Sequence, residues 1–110
     1  MIKVIVVDDE RFVRMGIVGE TDWASLGCEV VGEAENGLDA LELVHKKNPD
    51  LMICDIRMPK MNGLEMLKKL REEKNPVQVI FLTAYSEFSY AREALKLYAF
   101  DYLLKPVESE

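Results

Sequence analysis

The sequence is poor in the side chains on which many protein chemistries depend. It holds one histidine and two cysteines in 110 residues. Two cysteines cannot build a disulfide framework. Cys28 stands before one β-rich stretch and Cys54 inside another, so both read as small buried apolar residues of a cytosolic protein. Basic residues are in the minority, with 14 Lys and Arg against 20 Asp and Glu and a net charge of −6. That balance speaks against direct nucleic-acid binding by this segment. No apolar run approaches the ~20 residues needed to span a bilayer, and Met1-Ile2-Lys3 does not begin a signal peptide, so no membrane partner is expected. Repeats and low-complexity tracts are absent as well. What is left is one ordinary globular domain, of a size that buries roughly two-thirds of its unfolded surface.

Strand and helix patterns alternate along the chain. Ile2 to Val7 is β-branched and nearly all apolar, and it ends at Asp8-Asp9-Glu10. Phe12, Val13, Gly16 and Ile17 recur at helical spacing, predicting a helix that ends before Thr21-Asp22. Trp23 should anchor the connector that follows it. Glu29 to Glu33 reads as a short edge strand. Asn36-Gly37 opens a second helix with Leu38, Leu41 and Val44 on one stripe, stopped by Asn48-Pro49. His45, near that helix's end, should be solvated. Leu51 to Cys54 is a continuous apolar run that meets a carboxylate at Asp55, the pattern of a strand buried on both faces. Asn62 and Glu65 have capping-box spacing for a third helix with Leu64, Leu67 and Leu70 inward, and the charges from Lys68 to Lys74 form a solvated face. Val77 to Leu82 is a further strand ending at Thr83. Ser86 caps a fourth helix carrying Phe88, Ala91, Leu95 and Tyr98, and Asp101 to Leu104 is a last strand before Lys105-Pro106.

Five strands alternating with four helices predict an α/β domain with a parallel sheet and helices on both faces. All strand ends then share one edge, the edge at which open α/β sheets bind ligands. Asp8 and Asp9 follow strand one, Asp55 strand three, Thr83 strand four and Lys105 strand five. Three carboxylates crowded together repel unless a cation joins them. The set has none of the thiolates and imidazoles that zinc prefers, and its oxygen ligands suit Mg²⁺, which favours phosphate as a further ligand. A divalent ion with a lysine and a hydroxyl can bind a phosphoryl group. No serine, cysteine or histidine is paired with a base, and a carboxylate can itself become an acyl phosphate.

At this point the motifs VVDDE (Val6 to Glu10), CDIRMPKMNG (Cys54 to Gly63), FLTAY (Phe81 to Tyr85) and DYLLKP (Asp101 to Pro106) come together. The whole chain resembles the receiver domain of bacterial two-component response regulators. The stretches TDWASLGCEVVGEAENG and SEFSYAREAL resemble receivers attached to arabinose-regulator-type helix-turn-helix domains. The resemblance implies a flavodoxin-like, doubly wound five-stranded sheet in the order 2-1-3-4-5. It implies that Asp55 accepts a phosphoryl group from a sensor histidine kinase. Asp9, Asp55 and the backbone carbonyl of Arg57 would hold Mg²⁺, with Asp8 acting mainly through a metal-bound water. Lys105 would pair with Asp55 and then with the phosphoryl oxygens. Thr83 would hydrogen-bond that group, and Tyr102 would turn inward behind it. A homodimer could form through the fourth-helix and fifth-strand face, and an attached domain would bind DNA. Arg57 and Tyr85 would border the path of a hydrolytic water and so set the phosphoryl lifetime. Receivers carry a fifth helix after the Lys-Pro, of which Val107 to Glu110 could form one turn at most; either the sequence is truncated before or within that helix, or one face of strands one and five lies bare or is covered by another chain.

Two other chemistries fit less well. A haloacid-dehalogenase-type phosphohydrolase would want an acid two residues after Asp55, where Arg57 stands. A flavodoxin-like cofactor binder would want a Gly/Ser/Thr-rich loop after strand one, where three acids stand. A receiver-like docking module that is never phosphorylated keeps the fold without the chemistry.

Overall fold

The computed structural model describes residues 1–83 and 101–104, with Thr83 and the last four described through their backbone alone. The elements are β1 (Ile2–Val7), α1 (Arg11–Glu20), a 3₁₀ turn (Ala24–Leu26), β2 (Cys28–Ala34), α2 (Gly37–Lys47), β3 (Leu51–Asp55), α3 (Gly63–Glu72), β4 (Gln78–Thr83) and β5 (Asp101–Leu104). They form one five-stranded sheet in the order β2-β1-β3-β4-β5 with parallel pairings throughout. The order reverses between β1 and β3, so a crevice opens beyond the carboxyl ends of those two strands. The expected fourth helix, Tyr85, Lys105 and any turn of a fifth helix lie outside the described residues.

The core lies on one face of the sheet. Ile5, Val7, Met52, Cys54, Val79 and Phe81 pack there against Ala40 and Val44 of α2 and Leu64, Met66, Leu67 and Leu70 of α3. Alternate strand positions supply that layer because the side-chain period of a strand is two. Val4 and Val6, on the opposite face of β1, are also fully buried. Their in-register neighbours Leu51 and Ile53 are only half-buried. An open pocket of about 480 Å³ is lined by Leu51 with Met1, Ile2, Asp50, Gln78 and Ile80. No helix among the described residues is long and apolar enough to cross a membrane.

Several local expectations change. Phe12 is 86% exposed, and α1 buries no residue fully. Phe12, Met15 and Gly19 share the helix's outward stripe by their spacing of three and four, while Val13 and Ile17 form the inward one. In α2 the inward stripe is Gly37, Ala40 and Val44, and Leu38 is exposed. The small residues bring the helix close to its neighbours and turn Leu38 to the flank. His45 is half exposed but has a partner, its Nε2 lying 2.7 Å from Glu73 Oε1 on the turn after α3. Arg71 leaves the solvated charge run. Its guanidinium donates to the carbonyls of Asn75 at 2.8 Å and Val77 at 3.0 Å, wrapping the turn into β4. Trp23 does anchor its connector, donating from Nε1 to the Val18 carbonyl of α1 at 3.2 Å. Strand β2 runs one residue further at each end than the sequence pattern predicts, and it is an edge strand as expected.

Candidate functional site

Two strand ends and two turns build the acidic edge. β1 is apolar from Val4 to Val7 and stops where Asp8 leaves the sheet, its N–H still held by the Ala34 carbonyl of β2 at 3.1 Å. The chain then turns back on itself, with the Glu10 N–H donating to Asp8 Oδ1 at 2.9 Å. Glu10 serves as N-cap of α1 without a side-chain capping bond, which leaves its carboxylate to the edge. On the neighbouring strand, Asp55 closes β3 and is 6% exposed. Its Oδ1 accepts from the Ile56 N–H at 2.8 Å.

The turn after Asp55 is held from both sides. The Gly63 N–H donates to the Ile56 carbonyl at 2.7 Å, and Lys60 takes a left-handed φ of 67° to make the reversal. Asn62 and Glu65 then form the expected capping box at the start of α3. Gly63 is required there because a Cβ would stand 2.5 Å from the Asp55 carbonyl oxygen. Arg57 lies in this turn with its side chain exposed.

The structure brings Asp8, Asp9 and Asp55 together and adds Glu10: one carboxylate oxygen from each lies within 4.8 Å of all the others. Asp8 and Asp55 are buried, and Asp9 and Glu10 are exposed. Glu10 is the residue that sequence reasoning left out of the set, although it is the third consecutive acid after β1. At about 4 Å each like-charged pair costs roughly 1 to 4 kcal/mol, depending on screening. A divalent cation removes that repulsion. An all-oxygen carboxylate set of this kind fits Mg²⁺ or another hard ion better than zinc.

The remaining candidates fall at the same edge or outside the described residues. Thr83 ends β4 one position beyond Leu82, which pairs with Asp55, so its backbone reaches the acidic edge. Thr83 pairs in turn with Leu104 of β5, and Tyr102 pairs with Phe81. Lys105, next in the chain after Leu104, is outside the described residues.

The site is a polyacidic crevice at the strand-order reversal of a doubly wound α/β sheet, with three acids where a dinucleotide binder carries a glycine-rich phosphate loop. The chain belongs to the response regulator receiver domain family, whose model matches residues 4–110. Relatives agree. The chain is 42% identical over 110 residues to the transcriptional regulatory protein YesN of Bacillus subtilis, covering 100% of this chain and 30% of that protein. It is 44% identical over 114 residues to the transcriptional regulatory protein BtsR of Salmonella typhimurium, covering 100% of this chain and 44% of the relative. The chain therefore spans less than half of either protein. Among solved structures, the receiver domain of AraT, a response regulator from Geobacillus stearothermophilus, superposes with a TM-score of 0.90 at 45% identity, over 96% of this chain and 82% of that one. The signal receiver domain of the putative response regulator NarL from Mycobacterium tuberculosis gives a TM-score of 0.86 at 34% identity, over 97% and 86%.

Proposed function

We propose that residues 1–110 form one receiver domain whose Asp55 accepts a phosphoryl group from a sensor histidine kinase. The observation that carries this reading is the gathering of four carboxylates within 4.8 Å at the ends of β1 and β3. A carboxylate oxygen of Asp55 attacks the phosphorus of a phosphohistidine. The O–P bond forms as the P–N bond breaks, and the imidazole nitrogen keeps the electron pair and takes up a proton. Asp8, Asp9, Asp55 and the backbone carbonyl of Arg57 would hold Mg²⁺, with Glu10 as an added acid at the mouth. Bound there, the ion supplies charge neutralisation for the phosphoryl oxygens. Lys105 completes that neutralisation from the fifth strand's end, and Thr83 donates its hydroxyl to the phosphoryl group.

Closure of Thr83 on the modified Asp55 gives Tyr102 room to turn inward. This reshapes the face of the fourth helix and β5, where a homodimer would form. The new charge supplies the differential contact that a two-state shift requires. The output is transcription, as the names of the YesN and BtsR relatives suggest, and we place it in a DNA-binding domain attached to this one in a cytoplasmic protein. Incubation with Mg²⁺ and acetyl phosphate should add one phosphoryl group by intact mass, and Asp55→Asn should abolish the gain. No mass gain in the wild-type chain, with the fold intact, would instead favour an unphosphorylated docking module.

A further inference from the structure

Arg14, on α1, reaches the acidic edge. Its Nη1 donates to the backbone carbonyl of Asp8, and its Nε donates to Glu33 Oε1 of β2 at 3.3 Å. The side chain is 16% exposed, against 44% for Glu33. The carbonyl it grips belongs to the peptide unit that joins Asp8 to Asp9. The Asp8 N–H is already taken by Ala34 and its carboxylate by the Glu10 N–H. Arg14 therefore adds a third hold on the peptide plane from which Asp9 departs. Val13, Ile17 and Val18 of α1 are only partly buried, so polar contacts share the holding of this turn.

We propose that Arg14 is a positioning residue for cation binding at the acidic edge, acting through the Asp8–Asp9 peptide; this rests on the reading of that edge as a Mg²⁺ site. Its charge alone would oppose a cation, but Glu33 pairs with the guanidinium and offsets much of that effect. Geometry then decides the sign. Lysine keeps the charge and loses the two-pronged hold, because an ammonium cannot span a carbonyl and a carboxylate in the planar fork of arginine.

The test is Mg²⁺ affinity by titration calorimetry, with the Asp9 and Asp55 amide resonances followed in parallel and the melting temperature measured in chelator. Arg14→Lys and Arg14→Gln should each weaken Mg²⁺ binding by about tenfold, the scale of residues that orient metal ligands. Both should shift the Asp9 amide before metal is added. Glu33→Gln, which keeps an acceptor for Nε but removes the offsetting charge, should weaken affinity less than either Arg14 variant and leave the Asp9 amide in place before metal is added. Wild-type affinity in Arg14→Lys, or tighter binding in Arg14→Gln, would overturn the proposal while leaving the metal site standing. A wild-type chain that takes up no Mg²⁺ would overturn the site reading and this proposal with it.

Discussion

The N–H of Gly37, the first residue of α2, donates to the carbonyl of Met61 at 2.9 Å, and a Cβ on Gly37 would stand 2.5 Å from that same oxygen. Helix α2 is thus seated on the turn that leads from Asp55 into α3. Gly63 makes the matching contact on the other side of that turn, where a Cβ would meet the Asp55 carbonyl at 2.5 Å and the Phe81 ring at 2.7 Å. Two glycines therefore set how closely the turn can sit against the sheet.

Alanine at either position should destabilise the fold, because backbone and ring atoms rather than flexible side-chain ends must give way. We expect a loss of about 1 to 3 kcal/mol for Gly37→Ala and for Gly63→Ala, read from urea denaturation. Gly63→Ala should also weaken Mg²⁺ binding, since it displaces the Asp55 backbone. An unchanged denaturation midpoint for both variants would mean the turn has slack that the contacts do not suggest.

Metal and charge make opposite predictions at Asp9. The unfolded chain has no organised site, so millimolar Mg²⁺ should raise the wild-type melting temperature by mass action. In chelator the crowded carboxylates only repel. Asp9→Asn should therefore melt a few degrees above the wild type without metal, and should lose the Mg²⁺-dependent rise. If Asp9→Asn keeps the full rise, Asp9 does not belong to the site.

Arg71 ties the end of α3 to the start of β4 through the Asn75 and Val77 carbonyls. Burial lowers its pKa from the ordinary arginine value, yet the guanidinium stays charged throughout the neutral range. Its contribution should accordingly show no pH dependence there. Arg71→Ala should cost about 1 to 3 kcal/mol, because it strands two carbonyl acceptors. Arg71→Lys should recover part of that loss, and equal stability of all three proteins would show that water replaces both bonds.

Much of this was legible in the sequence because period and punctuation are local. The apolar run from Leu51, the capping pair Asn62 and Glu65 and the acids after β1 each declare an element or its end within a few residues. Parallel topology followed from their alternation, and the acidic edge followed from topology. The orientation of α1 was not legible, because Phe12 is as apolar as Val13 and only tertiary packing decides which one turns inward. Arg71 and Arg14 escaped for a related reason. A charged residue on a helix looks solvated until the carbonyls it reaches are known. Gly37 and Gly63 read as helix starts, while their close approaches depend on residues that the fold brings beside them.

The last prediction concerns the lifetime of a phosphoryl group on Asp55. Hydrolysis needs a water in line with the O–P bond on the open side of the site. Arg57, exposed in the turn two residues after Asp55, is long and cationic and can pair with phosphoryl oxygens. Tyr85, two residues after Thr83 in the sequence, brings a large ring that would exclude or misplace the water. Neither a guanidinium nor a phenol is a good base for activating water at neutral pH. Slow self-dephosphorylation should result, suited to the delay of a transcriptional response. The decay of phosphorylated protein in excess Mg²⁺ should be compared for wild type and for Arg57→Asn with Tyr85→Glu. A small amide and an acid admit and orient water, so the double variant should decay about tenfold faster, less than the roughly hundredfold or more that a fully positioned proton acceptor supplies. Equal or slower decay would show that these side chains do not guard the phosphoryl group.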